Sequence, residues 1–186
     1  MFEQTLFEIV SATLFALTLI HGIHKYNPRR LLVGLAIVAV LMITEENVAM
    51  VLSNDYTYGA YHLWVGRLPV AIALDWLVVV YLGFQVSAAV KSRLEIFLWR
   101  GKHSNSKSIK VVQSASSLLP FLLGALVASS VDLILEPVAH YWGLWTWSAY
   151  SPLSYFNAPI HNFGGWFFFT LIGLLILNKF VNSSRR

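Results

Sequence analysis

The sequence predicts an all-α fold, a polytopic transmembrane helix bundle of about five spans, with its N-terminus outside and its C-terminus cytoplasmic. Three observations lead there. The 186 residues are 57% hydrophobic and only 12% charged, with a mean hydropathy of +0.64, well outside the balance of soluble globular chains. Apolar stretches run at roughly 5 to 23, 31 to 52, 68 to 90, 115 to 139 and 164 to 181, and a helix needs about 20 apolar residues to cross a bilayer. Lysine and arginine fall almost wholly in alternate connections, the signature of a chain threaded back and forth.

The first stretch carries Glu3 and Glu8 and lacks both a basic leading region and a small-residue cleavage site, so it reads as a mature helix rather than a signal peptide. Its exit is Tyr26-Asn27-Pro28-Arg29-Arg30, where proline stops helix propagation and the basic pair marks a membrane surface. Lys25, Arg29 and Arg30 lie in the first connection. Lys91, Arg93, Arg100, Lys102, Lys107 and Lys110 lie in the third, and Lys179, Arg185 and Arg186 at the C-terminus. Twelve of thirteen basic residues thus share one side, with Arg67 opposite. That asymmetry orients the chain, requires an odd number of spans, and assigns the net charge of +4 to anionic lipid, with no nucleic acid. The segment Lys91 to Lys102 mixes basic residues with Leu94, Phe97, Leu98 and Trp99 and is expected to lie along the inner interface. HSNSKS after it reads as a loop. No internal repeat is evident, and residues 1–186 are expected to form a single transmembrane domain in the cell membrane.

The absence of cysteine excludes disulfides, thiolate metal sites and cysteine nucleophiles. His62, His140 and His161 fall on the outer side, but HxxxH, HxxHH and HExxH spacings are missing, so no metal is expected. Neither a GxSxG elbow, a phosphate-cradling glycine loop nor a DDxxD pair is present.

The informative residues are acidic, because a charge in hydrocarbon costs several kcal/mol and is seldom present without a partner or a task. Glu8, Glu45, Glu46, Asp75, Asp132 and Glu136 all fall inside the spans. At a rise of about 1.5 Å per residue, Glu45, Asp75 and Asp132 lie roughly 5 to 8 Å outward of their helix midpoints. Spans of opposite direction share that depth, which points to a polar pocket opening outward. Asp132 and Glu136 are one turn apart and share a helix face, whereas adjacent Glu45 and Glu46 point about 100° apart, so one of them faces the centre. Glu8 is expected to stand outside the pocket. Buried carboxylic acids can hold a proton and act as acids. The outer segments Asp55 to Leu68 and His140 to Trp166 are rich in Tyr, Trp, His, Gly and Pro. An interfacial aromatic belt accounts for Trp64 and Trp142, but Pro159, Asn162, Gly164 and Gly165 suggest a shaped cap over the pocket.

Asp132 to Trp147 (DLILEPVAHYWGLWTW) and Tyr155 to Trp166 (YFNAPIHNFGGW) resemble paired signatures of the carotenoid biosynthesis protein family, which includes the bisanhydrobacterioruberin and γ-carotene hydratases. A third matching stretch is Tyr58-Gly59-Ala60-Tyr61, then Arg67-Leu68-Pro69-Val70 and Asp75-Trp76, with an acid upstream at Glu45 or Glu46. The resemblance covers roughly residues 42 to 168, and Phe156-Asn157-Ala158 stands where Tyr-Gly-Val is more usual. It implies hydration of the terminal carbon–carbon double bond of a long isoprenoid or carotenoid, within the membrane lipid and without a cofactor. Such chemistry needs an acid to protonate one carbon, a means of stabilising the tertiary cation, and a base for the attacking water. Asp132 and Glu136 would form the acid–base pair, with Glu45, Glu46 and Asp75 as alternatives for holding water or donating the proton. Trp76, Trp145 and Trp166 would present aromatic faces to the cation, Tyr58 and Tyr61 would line the substrate, and Asn162 would orient a carboxyl. A proton-coupled carrier or a structural membrane subunit are the alternatives. A carrier should distribute polar groups through both leaflets, and here the inner halves are largely apolar.

Overall fold

In the computed structural model, residues 1–101, 117–148 and 151–182 are described, with side chains through residue 96 in the first segment. Five helical spans are long and apolar enough to cross a membrane: α1 (Phe2–Lys25), α2 (Pro28–Leu52), α3 (Val70–Gly101), a fourth made of α4 (Leu119–Ser129) and α5 (Asp132–Trp142), and α6 (Ile160–Asn182). Helices satisfy every backbone group internally, the condition for crossing hydrocarbon. The α1–α2 corner forms where the proline predicts it. Tyr26 closes α1 through its amide to the Gly22 carbonyl, Asn27 Oδ1 accepts from the Arg30 amide at 3.1 Å, and Pro28 opens α2. In α3 61% of the most apolar window is buried inside the protein, against 22 to 33% in the other four spans. The third span is therefore the hub, and the rest turn apolar flanks such as Ile9, Leu17, Ile20 and Val40 outward.

Two features add to the sequence expectation. The helix α3 runs unbroken through Lys91 to Gly101, so that stretch is helical and continuous with the third span; the HSNSKS stretch and Lys102, Lys107, Lys110, Arg185 and Arg186 lie outside the described residues. The fourth span is broken at Ser130 and Val131. There the Val131 amide bonds back to Ala128, the Leu133 amide to Ser130 and the Ile134 amide to Val131, each three residues back. Ser130 Oγ donates to the Val127 carbonyl at 2.6 Å, drawing off an acceptor that a regular helix would use. Further on, Pro137 has no N–H to give the Leu133 carbonyl; the Tyr155 hydroxyl donates to that carbonyl at 3.2 Å instead.

An internal repeat is present, contrary to the sequence expectation. A helix, a short strand, a two-residue hairpin and a second helix occur twice: α2, β1 (Tyr56–Tyr58), β2 (Trp64–Val65), β3 (Leu68–Pro69), α3, and then α4–α5, β4 (Trp145–Trp147), β5 (Ser154–Tyr155), β6 (Ala158–Pro159), α6. Ninety positions separate Gly34 from Gly124, Glu46 from Glu136, Leu63 from Leu153, Pro69 from Pro159, Trp76 from Trp166 and Gly83 from Gly173. The same offset carries the buried stripe of α2 (Leu31, Gly34, Leu35, Val38, Met42, Glu46) onto that of α4–α5 (Phe121, Gly124, Ala125, Ala128, Asp132, Glu136). Both hairpins are closed alike, the Val70 amide bonding to the Leu63 carbonyl at 2.9 Å and the Ile160 amide to the Leu153 carbonyl at 3.1 Å. Their turns need positive φ, supplied by Gly66 at 66° in one and by Phe156 at 49° and Asn157 at 67° in the other; asparagine is among the non-glycine residues that enter this region most readily.

The packing follows the same exchange. Helix α2 packs on α6 as α4 packs on α3, and α3 meets α6 directly. Strands β1 and β4 pair antiparallel about Thr57 and Thr146. Contacts that map onto themselves when the units are swapped describe an approximate two-fold axis, and because equivalent helices run in the same direction it lies along the bundle. Among the described elements, α1 has no counterpart.

The α3–α4 crossing is tight enough to test. A Cβ built on Gly124 would sit 2.1 Å from Ser87 Oγ and 2.5 Å from the Gly83 carbonyl oxygen, whereas nothing lies within 4 Å of one built on Gly164. Gly124→Ala is expected to destabilise by about 1 to 3 kcal/mol through overpacking, and Gly164→Ala to be neutral or stabilising by up to about 1 kcal/mol. Thermal unfolding of the two variants in detergent reads the difference.

Candidate active site

The site begins with two short strands. The sequences Tyr-Thr-Tyr in β1 and Trp-Thr-Trp in β4 alternate large aromatic and small polar residues, and in a strand residues two apart share a face. Pairing Tyr56 with Trp147 and Tyr58 with Trp145 therefore sends all four aromatic side chains to one side, while Thr57 and Thr146 are exposed on the other. The aromatic side faces the helices. Gly143, at φ 60°, ends α5 and turns the chain into β4, and Gln4 Nε2 from α1 donates to the Gly143 carbonyl at 3.0 Å.

Under this aromatic roof lies a cavity of about 40 Å³ lined by Glu46, Asp75, Asp132 and Glu136, by Tyr56, Tyr58, Trp145, Trp147, Trp166 and Asn162, and by the apolar groups of Phe7, Ile72 and Leu135. The four carboxyl-bearing residues are buried, Asp132 completely. Glu46 Oε2 accepts from the Tyr56 hydroxyl at 2.5 Å and the Tyr58 hydroxyl at 3.1 Å, and its Oε1 accepts from Trp76 Nε1 at 2.8 Å. Glu136 is held equivalently: Oε2 accepts from Trp145 Nε1 and Trp147 Nε1, both at 3.1 Å. Asn162 Nδ2 bridges Asp132 Oδ2 at 2.8 Å and Glu136 Oε1 at 3.1 Å. Asp75 Oδ2 accepts from Ser11 Oγ at 3.0 Å. Hydrogen bonds to a charged acceptor contribute about 1.5 to 3 kcal/mol each. The indoles of Trp76 and Trp166 stack at 4.2 Å between centroids.

Among the described residues, Asp132 alone combines complete burial, a place on the cavity wall and an oxygen, Oδ1, without a hydrogen-bond partner. The space beside it is large enough for water-sized molecules, since one water needs only about 10 to 15 Å³ on this measure.

Of the residues singled out by sequence, Asp132, Glu136, Glu46, Asp75, Tyr58, Trp145, Asn162 and Trp166 meet in this cavity, and Trp76 stands directly behind it. Tyr61 is buried next to Phe7 and Tyr58, outside the lining. Of the adjacent glutamates, Glu46 faces inward, while Glu45 is half-buried with no place on the cavity wall. Glu8 stands apart, as expected: it accepts from the His62 amide at 2.8 Å and meets His62 Nδ1 at 2.6 Å, tying the outer loop to α1. Asn162, Gly164 and Gly165 belong to α6, which starts at Ile160, so the cap is the strand pair and not this segment. Sequence reasoning missed Tyr56, Trp147 and Ser11; the period-two spacing of YTY and WTW was the available signal for the first two.

The phenols of the roof lie outside the spans. Burial first, and then the negative charge of Glu46, pushes Tyr56 and Tyr58 far above the usual tyrosine value of 10.0, and burial followed by Asp75 and Glu8 does the same to Tyr61. A raised folded-state value means that the unfolded chain loses these protons first, so stability is complete below about pH 10 and falls as pH rises beyond it. An absorbance titration of phenolate should leave these three un-ionised past pH 10, with Tyr56→Phe removing none of the early-titrating signal and the unfolding midpoint dropping in the same alkaline range.

Comparison with known proteins bears on the whole chain. Neither the curated proteins nor the solved structures compared with it give a match. A protein-family model described as carotenoid biosynthesis protein matches residues 4–186, and by that match the chain belongs to the carotenoid biosynthesis protein family.

Proposed function

We propose that this protein is a membrane-embedded hydratase that adds water to a terminal carbon–carbon double bond of an acyclic carotenoid or similar isoprenoid lipid. The observation that carries the reading is the water-sized cavity walled by four buried carboxyl-bearing residues, one of which keeps an oxygen without a partner.

The steps balance without a redox partner. The carboxylic acid of Asp132 gives its proton through Oδ1 to the CH carbon of an isopropylidene end, forming a C–H bond and leaving a tertiary cation on the neighbouring carbon. The faces of Trp145, Trp166 and Tyr58 stabilise that charge through their quadrupoles. A water held by Glu136 attacks the cation, its oxygen forming the new C–O bond, and Glu136 takes the released proton. Asn162 bridges both acids, so it sets their geometry and lies on the path by which the proton returns to Asp132. Glu46, saturated by three donors, anchors the roof and supplies a fixed negative charge near the cation. One water is consumed, and the product is a tertiary alcohol.

A cavity of about 40 Å³ admits water and not a polyene, so the isoprenoid end enters by displacing a wall. The first span offers the cheapest wall: it contributes Phe7 and is the least embedded, at 22% buried. The carboxylates fall in the outer half of the membrane when the basic connections are placed in the cytoplasm.

Expression in a host that accumulates lycopene, beside an Asp132→Asn variant, tests the reading by mass spectrometry of extracted pigments. The expected result is a product heavier by one water with the unmodified chain and a loss of about 100-fold or more with Asp132→Asn. Unchanged pigments while both proteins accumulate in the membrane would remove carotenoid hydration of that substrate as the function.

A further inference from the structure

At the end of the bundle opposite the carboxylates, where α1 and α6 finish, a second cavity of about 950 Å³ opens between α1, α3, α4 and α6. Its cations come from three different spans: Lys25 at the last residue of α1, Lys91 on α3 and Lys179 near the end of α6. One carboxylate, Glu95, lines it with them. Among the described residues neither Lys91 nor Lys179 pairs with an acid, and Lys25 Nζ donates to a neutral group, Gln85 Oε1, at 2.6 Å. Three ammonium groups gathered at one opening repel each other, and an anion placed among them relieves the repulsion.

The rest of the lining narrows the class of anion. Phe84 and Phe121 form a buried apolar floor beneath the lysines. A charged rim over an aromatic floor suits an amphiphile, with phosphate at the rim and the start of its chains below. The volume far exceeds the share of about 30 Å³ that a water takes in the liquid and falls in the range of organic ligand sites. Beside the rim, Gln85 Oε1 already accepts from both Lys25 and Tyr26, while Gln85 Nε2 is buried without an acceptor.

We propose that this basic cavity binds the phosphate-bearing headgroup of an anionic membrane lipid. The site is separate from the carboxylate cavity and does not depend on the reaction assigned there. Occupancy links the end of α1 to α3 and to the end of α6, adding one more tie between the first span and the bundle.

The test uses the purified full chain in detergent micelles doped with phosphatidylglycerol, with phosphatidylcholine, or with neither but with inorganic phosphate in the buffer, and reads the thermal unfolding midpoint against ligand concentration. Phosphatidylglycerol is expected to raise the midpoint saturably, with little effect from the other two. Each of Lys25→Gln, Lys91→Gln and Lys179→Gln should shift the half-saturating concentration upward by about fivefold. Lys179→Gln alters only an exposed side chain near a helix end, so its fold is secure even where one of the other two variants fails. Equal stabilisation by the two lipids, full reproduction of the effect by inorganic phosphate, or an unshifted titration with Lys179→Gln would each overturn the proposal.

Discussion

Carboxyl groups deep in an apolar bundle are costly unless neighbouring donors satisfy them, and the architecture around Glu46, Glu136 and Asp132 meets that requirement. Glu46 draws three donors, two from β1 and one from α3, and Glu136 also draws three, two from β4 and one from α6. A helical bundle has no spare backbone donors at that depth, because its amides are used within the helices. The donors must be side chains, and indole and phenol serve well because each couples one polar atom to a large apolar body. The strands between the helices exist in this sense to hold aromatic donors over the acids.

The repeat accounts for the similar setting of the two glutamates, and the exceptions to the symmetry fall at the other polar residues of the cavity. Glu46 and Glu136, and Trp76 and Trp166, are equivalent pairs close to the axis. Asp132 has Met42 as its counterpart, Asn162 has Ile72, and Asp75 has Gly165. One unit thus carries the hydrogen-bonded Asp132–Asn162 pair, while the equivalent positions of the other are apolar. Ile72, lying in the cavity wall opposite a polar set, leaves an apolar side against which an alkene could rest. A symmetric frame with one polar and one apolar flank suits a reaction in which water and hydrocarbon must meet.

The spans were legible in the sequence because hydropathy over some 20 residues is a strong signal, and so was the shared depth of the acids, which follows from topology and helix rise. That one of Glu45 and Glu46 faces inward also follows from helix geometry; which one does depends on packing. The break at Ser130 was hidden, since a single serine hydroxyl competing for the Val127 carbonyl leaves no mark on hydropathy. The strands are hidden for a related reason: two or three residues each are too short for a periodicity, although YTY and WTW carry the alternation. The repeat rests on a few identical residues at a constant offset within otherwise divergent apolar sequence, where any Leu, Val or Ala fills a lipid-facing position equally well. The exchange of contacts between the two units gives that offset its meaning.

The central claim is that buried carboxyls in this cavity transfer a proton from solvent to an alkene and deliver water to the resulting cation. Isotope labelling of the reaction in membranes tests it most directly, in parallel incubations in heavy-oxygen water and in deuterium oxide. The account predicts that the new hydroxyl oxygen comes from water and that one solvent-derived deuterium appears on the adjacent carbon. A hydroxyl oxygen that does not come from water, or a product without deuterium on that carbon, would contradict acid-catalysed hydration and assign the carboxylates another task.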